Sequence, residues 1–65
     1  MNKYDLIKDL TDVSQAIIDI VDLDVIEKLY SNDSNDVYEA LTLVNNRIMI
    51  AYKKAYAIEA SLLKE

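Results

Sequence analysis

The chain has 65 residues, seven of them Lys or Arg and twelve Asp or Glu, giving a formal net charge of −5. It contains no cysteine, histidine, glycine or proline. That excludes disulfides, thiolate or imidazole metal sites, thiol and imidazole catalysis, Gly-rich phosphate loops and hairpin turns of the Asn-Gly type. Domains this small usually rely on a disulfide, a metal or a second subunit. With the first two absent, a hydrophobic content of 52% points to apolar area buried between subunits. Strand-like alternation is hard to find, whereas helical spacing runs through the chain, so the expected class is all-α, as a single domain over 1–65.

Asn2 is placed to cap a first helix, with Asp5 near its positive end. Leu6, Leu10, Val13, Ile17 and Ile20 then form one apolar stripe, widened by Ile7, Ile18 and Val21. This predicts an amphipathic helix over 3–21. Asp5, Asp9, Asp12 and Asp19 follow one flank of the stripe.

At Val21-Asp22-Leu23-Asp24 the register breaks. Asp24 with Glu27 reads as a capping box, while Asp22 as the cap would let Val21 and Ile26 form a hydrophobic staple. Either reading predicts a short helix over 24–30, with one continuous helix over 3–30 as the alternative. Residues 31–36, Ser-Asn-Asp-Ser-Asn-Asp, bond readily to local backbone and predict a loop. Asp36 and Glu39 make a second capping box, which opens a long helix over 36–64.

That helix carries two apolar stripes. Val37, Leu41, Val44, Ile48, Ala51, Ala55, Ile58 and Leu62 alternate at spacings of four and three, and Leu43, Met49, Ile50, Tyr56, Ala57 and Leu63 lie on the far side. A surface helix needs one stripe; two imply that it is sandwiched. The expected fold is therefore a helical hairpin with a kinked or split first arm and a long second helix. Its first stripe packs on the chain's own first arm. Leu43, Met49, Ile50, Tyr56 and Leu63 form the self-interface of a dimeric helical bundle. Charge agrees with such a hairpin: residues 1–39 hold ten acids and three bases, whereas 40–58 hold Arg47, Lys53 and Lys54 and no acid.

Several constellations invite a function. Asp5, Asp9, Asp12, Asp19 and Asp22 form a candidate partner face, spaced as in a nucleic-acid mimic, although Lys3 and Lys8 interrupt the row and a solvated helix face is the favoured reading. Arg47, Tyr52, Lys53 and Lys54, with Tyr56 nearby, form a candidate ligand patch of cations beside stackable rings, but their wheel positions diverge. Asp22, Asp24, Glu27, Asp33 and Asp36 are oxygen donors without the spacing or glycine of a calcium loop; they read as caps and turn residues. The stretch Asn32-Asp33-Ser34-Asn35-Asp36-Val37-Tyr38-Glu39 superficially resembles the Asp-Ser-Leu prosthetic-group motif of acyl carrier proteins. That resemblance implies Ser34 as the attachment point, although Asn35 replaces the leucine and no glycine precedes. Leu41-Thr42-Leu43-Val44-Asn45-Asn46-Arg47-Ile48-Met49-Ile50-Ala51 is similar to the second helix of small phage hairpin proteins that sequester cyclic-nucleotide signals. The resemblance implies a nucleotide sponge. Ile50 stands at the family's tryptophan, and Asp36-Val37-Tyr38-Glu39 at the usual arginine-containing segment.

These readings favour a small non-enzymatic interaction protein, a regulator, adaptor or inhibitor that binds another protein and forms a homodimer. The alternatives are an acidic nucleic-acid mimic and a sponge for a small nucleotide. No cofactor, metal, direct nucleic-acid contact or membrane is expected. The N-terminus lacks a signal-peptide pattern and no apolar run reaches membrane-spanning length, so a cytoplasmic location is expected. Richness in Ile, Asn, Lys and Tyr suggests an AT-rich genome, such as that of a low-GC bacterium or its phage.

Overall fold

The computed structural model describes residues 2–64 and folds them into three helices: α1 (Lys3–Ile18), α2 (Leu23–Tyr30) and α3 (Ser34–Leu63). α1 and α2 together form a bent first arm that lies along α3, an all-α hairpin as expected. No helix among the described residues is long and apolar enough to cross a membrane.

Side-chain caps set where each helix starts. The Asn2 carboxamide oxygen accepts the Asp5 N–H at 2.9 Å and opens α1. α1 stops at Ile18, three residues short of the expected end, and the chain bends over residues 19–22. Of the two candidate caps for α2 it is Asp22 that serves, accepting the Val25 N–H at 3.0 Å. The continuous helix over 3–30 is therefore not formed.

The turn into α3 is tighter than the sequence implied. The loop is only Ser31-Asn32-Asp33, and α3 starts at Ser34 rather than at residue 36. Asp33 is the cap: its carboxylate accepts the Asn35 N–H at 2.9 Å, and its carbonyl accepts the N–H groups of Asp36 and Val37 at 3.1 and 3.2 Å. Asp36, expected as the cap, instead accepts the Ser31 hydroxyl at 2.8 Å, while Ser31 Oγ accepts the Asp33 N–H at 3.1 Å. This closed set of bonds satisfies the turn and lets the helix gain two residues. It needs no glycine, because no described residue has a positive φ.

The seam between the arms is rotated from the expected one. The first arm turns Leu6, Asp9, Val13 and Ala16 of α1 and Ile20 of the bend inward, and α3 answers with Val37, Ala40, Val44, Arg47, Ala51, Ile58 and Ser61, all buried or half-buried. Val37, Val44, Ala51 and Ile58 keep their predicted place. Leu41, Ile48, Ala55 and Leu62 do not, nor do Leu10 and Ile17 on α1; all six are exposed. The physical reason is size. Ala16, Ala40 and Ala51 let two helices approach closely, whereas Leu and Ile at those positions would hold them apart. Polar residues at the seam's edge keep their charged ends in water.

The result is a single layer of helices, 50 × 17 × 7 Å measured on Cα atoms. Its radius of gyration is 15.4 Å, against about 10.7 Å for a compact 65-residue domain. Its accessible surface is 5234 Å², whereas a compact chain of 7.4 kDa exposes about 4200 Å². Among the described residues only Val25, Ala40, Ala51 and Ile58 are buried.

Candidate functional site

The hairpin has two unlike flanks. On one, Asp12, Gln15, Ala16, Asp19 and Asp22 of the first arm and Arg47, Ile50 and Lys54 of α3 line an open groove of about 450 Å³. Arg47 organises it. Its Nη1 lies 3.2 Å from the Asp22 carboxylate and 3.4 Å from the carbonyl oxygens of both Asp19 and Ile20. Those carbonyls follow the end of α1, where helical partners run out. One guanidinium thus caps α1, a favourable position for a cation, and holds the cap of α2. The Val25 N–H foremost, and then Arg47, hold the Asp22 carboxyl below its ordinary value of 3.8. Gln15 donates to the Asp19 carboxylate at 2.9 Å.

Farther along, Lys28 of α2 donates to Asp24 at 3.3 Å and lies 4.0 Å from Glu39 of α3. The bond to Asp24 raises its ammonium above the ordinary 10.5. The groove and the Lys28 pairs are therefore a lattice of charges joining helix to helix.

The residues singled out in the sequence are dispersed. Of the acidic row, Asp12, Asp19 and Asp22 line the groove. Asp9 is half-buried near Lys54, Ile58 and Ser61, and Asp5 stands exposed in the first turn of α1. Arg47 and Lys54 share the groove, but Tyr52 and Lys53 are not part of it. Tyr52 stacks on Tyr56 instead, with ring centroids 6.3 Å apart and planes 20° from parallel. Ser34 is the first residue of α3, exposed. No group of three or more acids among the described residues is placed to hold a metal ion.

Of the residues expected at a self-interface, Met49, Ile50, Tyr56 and Leu63 are exposed and Leu43 is half-buried. Met49, Tyr56 and Leu63 recur every seven residues opposite the seam, so they run along the outer edge of the layer. Ile50 faces the polar groove.

The other flank went unread in the sequence. Each residue that follows an inward-facing position points to that flank, because one residue turns the helix by about 100°. On the first arm these are Ile7, Leu10, Ser14, Ile17, Val21, Ile26 and Leu29; on α3 they are Tyr38, Leu41, Asn45, Ile48, Tyr52, Glu59 and Leu62, with Ala55 beside them. All are exposed, Leu10 at 51%, Ile17 at 56%, Leu41 at 53% and Ile48 at 48%. Glu59 is the one charge among them. The width of the α1 stripe, with Ile7 and Val21 beside the main row, was the available signal. Compared with protein families, curated proteins and solved structures, the chain matches none.

Proposed function

We propose that the chain is a small non-enzymatic interaction protein that works as a homodimer and acts by binding another protein. The observation that carries this reading is the surplus of surface. The chain exposes 5234 Å², roughly 1000 Å² more than a compact fold of its mass. A stable protein interface takes about 800 Å² from each partner. One flank is apolar and suits self-association; the charged flank stays in water, open to a partner.

The two alternatives draw less support. A nucleic-acid mimic needs dense unopposed negative charge, and here Arg47 and Lys54 stand among Asp12, Asp19 and Asp22. A nucleotide sponge needs a cation to spare, and Arg47 is engaged by Asp22 and two carbonyls.

Light scattering after size-exclusion chromatography, at low and high salt, tests the reading. The expected species has twice the 7.4 kDa chain mass and persists at high salt, because apolar contacts are not screened. A folded monomer at the highest concentration reached would overturn it.

A further inference from the structure

We propose that a second copy of this chain docks on the apolar flank of Leu10, Ile17, Leu41, Ile48 and Leu62, so that two single-layer hairpins close face to face into a four-helix bundle. The inference rests on the homodimer reading and names its surface. It moves the self-interface away from Met49, Tyr56 and Leu63, where the sequence had placed it.

Three observations select this flank. The first is area. A face of 50 × 17 Å presents about 850 Å², close to the roughly 800 Å² each partner gives to a stable interface. The row from Leu43 to Leu63 belongs to one helix; at 1.5 Å per residue and about 10 Å width it offers on the order of 300 Å². The second is charge. From Ile7 to Leu29 on the first arm, the outward positions 7, 10, 14, 17, 21, 26 and 29 hold Ile, Leu, Ser, Ile, Val, Ile and Leu. The facing positions of α3 are Tyr38, Leu41, Asn45, Ile48, Tyr52, Ala55, Glu59 and Leu62, with Glu59 near the far end as the one charge. The opposite flank holds Asp12, Asp19, Asp22, Arg47 and Lys54, which would lose water on burial.

The third is spacing. Leu41, Ile48, Ala55 and Leu62 recur every seven residues, as do Leu10 and Ile17, so both arms contribute such a row to this flank, whereas Met49, Tyr56 and Leu63 belong to α3 alone. A strict seven-residue row is what one helix presents to another in a bundle. These residues sit beside the intramolecular seam, so the two seams are neighbours on each helix, and closing the second one completes a shared core. A two-fold contact uses the same patch on both copies. Ile48 lies near the midpoint of α3 (Ser34–Leu63), hence near the centre of that patch, where truncation costs most.

Paired substitutions measured by light scattering decide the matter. Ile48→Asp is expected to convert the dimer to monomer, and Ile50→Asp, on the polar flank, to leave it dimeric. Because Ile48→Asp could also unfold the hairpin, a second measurement uses the absence of native cysteine. The thiol introduced by Ile48→Cys is expected to react with a maleimide roughly tenfold more slowly in concentrated than in dilute protein, as dimer population protects it. The thiol introduced by Ile50→Cys should react alike at both concentrations. A dimer that survives Ile48→Asp, with the Ile48→Cys thiol open and the Ile50→Cys thiol protected, overturns the surface and leaves the homodimer standing. A wild-type chain that is monomeric throughout overturns both.

Discussion

Val25 is the side chain the fold can least spare. It is the largest residue that is completely buried, on a short helix whose neighbours Leu23 and Tyr30 stand mostly in solvent. Val25→Ala is expected to cost about 2 kcal/mol, from lost burial and the cavity left behind. In a chain of this size that lowers Tm by roughly 10 °C in a circular-dichroism melt. Tyr30→Ala, at a residue 84% exposed, should leave Tm almost unchanged. At this scale the sequence was only half legible. Hydrophobicity ranks Leu10, Ile17, Leu41 and Ile48 as core residues, and the structure sets all four on the surface. Ala16, Ala40 and Ala51 take the contact between arms, because two helices touch most closely through small side chains. Arg47 was noticed as a charge and its role was missed: its partners at Asp19, Ile20 and Asp22 are at least 25 positions away, beyond any local rule.

Among the elements, helix starts were the most readable feature, since a cap is a bond between residues three or fewer apart. Asn2 was legible for that reason, and Asp22 as one of two candidates beside Asp24. Asp36 was not, because Asp33 competes for the same helix and wins through a hydroxyl–carboxylate contact that only the closed turn creates. The cap of α2 also carries a pH dependence. The folded state depresses the Asp22 carboxyl below 3.8. Its contribution is therefore fully present above the unfolded value of about 3.9 and is lost as pH falls through the folded one. Asparagine is a comparable cap but has no charge to titrate. The drop in Tm between pH 7 and pH 2.5 is thus expected to be smaller in Asp22→Asn than in the wild type. An equal drop would mean that the charge on Asp22, toward the Val25 N–H and Arg47 together, adds nothing to the cap.

For the molecule as a whole, a layer 7 Å thick leaves every helix with at least one face in water. That explains how a chain more than half hydrophobic can have only four buried residues among those described. The hairpin itself was legible, because two amphipathic stretches flank a polar turn. Which flank would remain open was not, since it depends on a rotation of less than one residue in the seam. The turn at Ser31–Asp33 has a further consequence, for the order in which the structure forms and comes apart. Closing three residues costs little chain entropy, so contacts beside the turn are the least expensive to make. Burial follows the same gradient: Val25 and Ala40, nearest the turn, are fully buried, Ile58 retains 8% exposure, and Leu6 at the far end is only half-buried. The hairpin should behave as a zipper, with Ser31–Asp33 as its fixed end and the bend at Asp19–Asp22 as its one stop. Amide hydrogen exchange in dilute solution is expected to show this directly. Protection should be greatest in α2 and the facing turns of α3, step down where α1 begins beyond Arg47, and be least near Lys3 and Leu63.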